Sequence, residues 1–93
     1  MTGQEVLKVF ENIKHGISES YKGILYSFNE LVEFDLITKD EVRHFKANMI
    51  YIDEMENKLV FTDFEYGERH NGIGLTFVYK LEDIKEIKRW RKI

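Results

Sequence analysis

Ile13-Lys14-His15-Gly16-Ile17-Ser18-Glu19-Ser20-Tyr21-Lys22-Gly23-Ile24-Leu25-Tyr26-Ser27-Phe28-Asn29-Glu30-Leu31 is the stretch on which the reading of this 93-residue chain turns. Its apolar residues continue a series begun by Val6 and Phe10: Ile13, Ile17, Tyr21, Ile24, Phe28 and Leu31 follow by steps of three and four. Such steps put side chains on one stripe of an α-helix, so the spacing predicts helix across most of residues 1–34. Thr2 followed by Glu5 is a capping box at the start. Lys14-His15-Gly16 reads as a helix end, with cations near the carbonyl terminus and a glycine free to turn left-handed. Ser18 or Ser20 would cap a second helix reaching about Phe34. The competing reading is one helix bent at Gly16, because the stripe stays in phase across it.

Outward from this stretch, Thr38 and Glu41 form a second capping box, with Ile37 and Val42 at the positions of a hydrophobic staple. They predict a third helix with Val42, Phe45 and Met49 inward and Asp40, Arg43 and Lys46 outward. From Asn48 the pattern changes to strand. Glu54-Met55-Glu56-Asn57 joins a strand over 49–53 to one over 58–64. Asn71-Gly72 has the chemistry of a type I′ hairpin turn, which needs two residues tolerant of positive φ. Centring the turn there sets Tyr66 opposite Phe77, Phe64 opposite Tyr79, Thr62 opposite Leu81 and Asp63 opposite Lys80. Residues 83–88 add a short fourth strand or a helical turn. The expected architecture is α+β and one domain: two or three helices over 1–47, then a three- to four-stranded antiparallel meander over 48–93.

The run Leu75-Thr-Phe-Val-Tyr-Lys-Leu-Glu-Asp-Ile-Lys-Glu-Ile87 resembles the last strands of small SH3-like or Sm-like half-barrels, where an extended strand precedes a short Asp-Ile-x-x-Ile element. The resemblance implies a half-barrel ending and carries over no functional residue. In the expected register the helices cover Met49, Tyr51, Val60, Thr62, Phe64, Tyr66, Leu75, Phe77 and Tyr79. The opposite face carries Ile50, Ile52, Leu59, Phe61 and Val78, where a one-sided sheet would be polar. Its cover is the Ile84/Ile87/Trp90 segment, a curl of the sheet, or a second copy of the chain in a homodimer.

Hydrophobic residues at 43% and charged residues at 33% describe a globular chain rather than a disordered one. The absence of cysteine excludes a disulfide framework, thiolate metal sites and cysteine catalysis, and suits a reducing, cytoplasmic compartment. No apolar run approaches the ~20 residues of a membrane span, and the start has neither a basic nor an apolar leader region.

The spacing of Gly67 and Gly72 matches a phosphate loop, but Ile73-Gly74 follows where Lys-Ser/Thr should, so these are turn glycines. Asp63 and Glu65 fall on one hairpin face and Glu68 and His70 on the other, so they do not converge on a metal. Asp53, Glu54 and Glu56 sit in a loop, where nothing buries a carboxyl to raise its pKa. No cofactor, metal, small-molecule or catalytic signature is readable, and a non-enzymatic protein is expected.

Charge is uneven: residues 1–79 hold 8 basic and 14 acidic side chains, residues 80–93 hold 6 and 3. Lys85, Lys88, Arg89, Trp90, Arg91 and Lys92 combine cations with an aromatic ring, which suits phosphate contact with base stacking. The same residues suit a terminal segment that packs its apolar members and lays its cationic stems on the surface. The expected function is a small protein-interaction or regulatory module, including the inhibitor type found on phages and mobile elements. Its partner protein would meet Glu65, Tyr66, Glu68, Arg69 and His70 of the 65–71 loop, with Phe61 and Ile52 of the exposed face. Nucleic-acid binding by the basic tail is the alternative.

Overall fold

A computed structural model describes residues 1–64 and 74–90. Among the described residues the elements are helix α1, Gly3–Phe10, and the strands β1 (His15–Glu19), β2 (Gly23–Thr38), β3 (Val42–Asp53), β4 (Lys58–Asp63), β5 (Leu75–Lys80) and β6 (Ile84–Arg89). A 3-10 turn, Leu81–Asp83, links the last two strands. The expected second and third helices are therefore strands, and the boundary at residue 47 falls inside β3.

The first capping box forms as expected. The Thr2 amide donates to Glu5 Oε1 at 2.9 Å, and the Glu5 amide to Thr2 Oγ1 at 3.2 Å. The second box makes one of its bonds in a different structure. The Glu41 amide donates to Thr38 Oγ1 at 3.3 Å while the Thr38 amide donates to the Glu41 carbonyl at 2.9 Å. Those bonds close the turn between β2 and β3. A threonine hydroxyl that serves a helix start serves a hairpin turn equally well.

Ladders run antiparallel in the order β1-β2-β3-β4-β5, and β6 pairs with β2 beside β1, on the edge away from β3. A straight strand of the length of β2, 16 residues, would span about 50 Å. The molecule measures 34 × 31 × 27 Å, so β2 bends. The bend falls between the pairs Ser27↔Met49 and Val32↔Ala47, where four β2 residues face the single residue Asn48. The sheet also curls. Laid flat, β5 and β6 would lie four strand spacings apart, about 19 Å. Yet the chain from Lys80 to Ile84 reaches at most about 14 Å. Among the described residues no ladder joins β5 to β1 or β6, so the sheet is open and not a closed barrel. The SH3-like ending does not extend to a barrel here.

One core fills the concave side. Phe28, Val32, Phe34 and Leu36 of β2, Phe45, Ala47, Ile50 and Ile52 of β3, and Leu59 and Phe61 of β4 are buried there. Leu81, Ile84 and Ile87 join them. Helix α1 closes the open side with Val6, Leu7 and Phe10, the Phe10 ring lying 5.4 Å from Phe28 and 5.5 Å from Phe34. Gly23 is required where β2 starts against β3, since a Cβ there would lie 1.9 Å from the Ile52 carbonyl oxygen.

The loop over residues 54–57 joins β3 and β4 as expected, with Asn57 taking the positive φ of 55°. The β4–β5 register differs. Thr62 faces Thr76 instead of Leu81, and Asp63 faces Leu75 instead of Lys80. The slip is five residues, an odd number, so every β5 partner changes face. β4 ends at Asp63 and β5 begins at Leu75. The Asn71-Gly72 turn itself lies outside the described residues.

Candidate interaction site

Past the bend, β2 alternates strictly. Val32, Phe34 and Leu36 point into the core, which leaves Glu33 and Asp35 on the convex face. Across β3, His44 lies opposite Asp35, and Lys46 opposite Glu33. His44 Nδ1 lies 3.0 Å from Asp35 Oδ1 and its Nε2 lies 2.9 Å from Glu33 Oε2. Carboxylates only accept, so both bonds exist together when both ring nitrogens carry hydrogen, which is the imidazolium form. The ring is thus fixed on a strand surface from two sides.

On the other edge of β2, β6 sets Lys88 opposite Asp35. One residue beyond β6, the Trp90 amide donates to the Glu33 carbonyl at 2.9 Å, extending the ladder. The indole then lies over His44, ring centres 4.2 Å apart, and stays 55% exposed. An aromatic side chain held on one side by a fixed ring and open on the other loses little freedom when a partner covers it. Next to this group the Lys46 amide donates to Asp63 Oδ1 at 3.1 Å, and Asp63 is only 6% exposed.

Of the residues expected to meet a partner, Phe61 and Ile52 are described. Phe61 and Ile52 are core, 2% and 1% exposed, and offer no surface. Glu65, Tyr66, Glu68, Arg69 and His70 lie outside the described residues, as do Arg91 and Lys92. Lys85 and Lys88 are exposed on β6, whereas Arg89 donates to the Val9 carbonyl of α1 at 3.1 Å and so ties the strand to the helix. The helix expected from Thr38 onward separated His44 from Glu33 and Asp35, its two carboxylates. The signal was there: Glu33-x-Asp35 and His44 alternate with buried residues at the period of a strand.

A second surface has an unusual composition. Across the convex face Leu25, Tyr51, Val60 and Val78 stand directly opposite one another on β2, β3, β4 and β5. Ser18 of β1 extends the row past Leu25. The neighbouring row holds Gly16, Ser27 and Met49, with Thr62 facing Thr76. Neither row carries a charge, in a chain one third charged. On the concave side of the same edge, Phe77 and Tyr79 are half-buried beneath the Arg43 guanidinium, which lies 4.7 Å from the Phe77 ring centre. Burial pushes the Tyr79 hydroxyl above the ordinary phenol range, against a smaller downward pull from Arg43.

Among the described residues no group of three or more His, Asp or Glu side chains is arranged to hold a metal ion. No helix among them is long and apolar enough to cross a membrane. The fold and surface define a small, compact α+β domain. No family model, curated protein or solved structure matches the chain.

Proposed function

We propose that this protein is a binding module that engages a partner protein through the convex face around Trp90. One observation carries the reading: Trp90 is exposed yet immobilised, with its backbone bonded to β2 and its indole resting on a histidine pinned by Glu33 and Asp35. Tryptophans of this kind are enriched among residues that dominate interface energies. The basic tail favours nucleic acid less. Glu33 and Asp35 are engaged with the histidine beneath the indole, and Arg89 already donates to the helix carbonyl. The phage-inhibitor version of the reading rests on length and composition alone and adds nothing to this surface.

The test is affinity capture from source cells with wild type and Trp90→Ala, followed by titration of the recovered partner against the wild-type chain. Trp90 is the sole tryptophan, so its emission reports the site directly. The reading predicts a partner lost on Trp90→Ala and a blue shift as the wild-type indole is covered. Equal recovery by both proteins, or binding without any change in Trp90 emission, refutes it.

A further inference from the structure

We infer that two copies of this chain associate edge to edge through β5, forming an antiparallel pair about a two-fold axis at Val78. Among the described residues no strand pairs with the outer edge of β5. On the opposite edge, shared by β1 and β6, β6 carries Lys85, Glu86, Lys88 and Arg89, and β1 is short and ends on Glu19. β5 reads Leu-Thr-Phe-Val-Tyr-Lys, with β-forming residues throughout, no proline and a charge only at its end. An edge of that composition lacks the devices that keep strands from pairing with another chain.

The register follows from the faces. Residues opposite each other across an antiparallel seam share a face, so the axis must pass through a residue rather than between two. Centred on Val78, the pairing sets Val78 against Val78 and Phe77 against Tyr79 of the second copy. It sets Lys80 against Thr76, so the only charged side chain of β5 meets a neutral one. The uncharged row Leu25–Tyr51–Val60–Val78 then continues into the same row of the second copy. On the concave side the half-buried Phe77 and Tyr79 rings gain aromatic neighbours of the kind that stabilises cross-strand pairs. Centring on Phe77 instead would set Val78 against Thr76 and break the row. A seam of five residues a side, 76–80, is small for a stable interface, so association should depend on concentration.

Sedimentation over a concentration series of the full chain tests this. The expected result is a rise from the 11.2 kDa chain towards twice that mass. Val78 is 58% exposed, so Val78→Lys and Val78→Glu leave the monomer folded, as circular dichroism will check. Each should abolish the rise, because like charges then meet on the axis, and an equimolar mixture of the two should restore it. Thr76→Lys, also at an exposed position, sets lysine against Lys80 and should weaken association independently. A wild type that stays monomeric throughout, a Val78→Lys protein that still doubles its mass, or a mixture that fails to recover each overturns the proposal.

Discussion

Phe61 and its chain neighbour Val60 lie on opposite faces of β4, and exchanging each for a smaller or polar residue measures the sheet's orientation. The Phe61 ring is 2% exposed, with ring centres 5.4 Å from Phe34, 4.8 Å from Phe45, 6.0 Å from Phe77 and 6.2 Å from Tyr79. Phe61→Ala removes the centre of that group and leaves a cavity which a curled sheet closed by one helix fills poorly. Core phenylalanine truncations cost about 3–5 kcal/mol. A chain this long has about 5–14 kcal/mol in total, and each kcal/mol shifts the melting temperature by about 4–8 °C. Phe61→Ala should therefore melt roughly 12–40 °C lower or fail to fold. Val60→Thr keeps shape and β-branching at a half-exposed position where water meets the hydroxyl, and should change stability by under about 1 kcal/mol. Urea unfolding followed by circular dichroism gives both values. Equal costs at the two positions, or a larger one at Val60, would show that β4 presents the other face to the core.

Gly23→Ala should destabilise by about 2 kcal/mol or more, since its Cβ would collide with the Ile52 carbonyl, while Gly16→Ala, with open space around it, should be neutral within about 0.5 kcal/mol; thermal melts of both settle it. The Glu5 carboxyl is held below the ordinary glutamate range, first by the Thr2 amide and then by the Thr2 hydroxyl. A depressed acid adds stability that is fully present above its unfolded pKa and is lost as pH falls through the folded one. The melting-point advantage of wild type over Glu5→Gln should therefore hold at neutral pH and vanish in acid, and a constant difference would contradict the box.

Why the N-terminal half reads as helix follows from arithmetic on its own residues. Ile24, Phe28, Val32 and Leu36 recur every four positions, and four is close to one helical turn of about 3.6 residues and is twice the two-residue strand repeat. Only odd steps discriminate. Those at Phe10–Ile13, Tyr21–Ile24 and Phe28–Leu31 fall at the end of α1, in the β1–β2 turn and at the bend of β2, so irregular structure imitated the helical period. The composition pointed the other way, because Ile24, Tyr26, Phe28, Val32, Phe34, Ile37 and Thr38 are β-branched or aromatic and residues 1–46 contain no alanine. Local signals were legible: the Thr2–Glu5 cap and the four-residue β3–β4 loop stand where the sequence puts them. The site was not. Glu33, Asp35, His44 and Trp90 converge only through the pairing of β2 with both β3 and β6, and strand pairing between distant segments leaves no mark on local spacing.

Backbone Cα chemical shifts of the uniformly labelled chain test the account at its centre, which is that β2 is the long bent strand on which core and surface are both built. Strand-type shifts over residues 23–28 and 32–38, interrupted at the bend, with α-helical shifts confined to Gly3–Phe10 among residues 1–63, are the predicted result. Unbroken helical shifts from residue 18 to residue 34 would contradict it, and with it the placing of Glu33, Asp35 and Trp90 on one face.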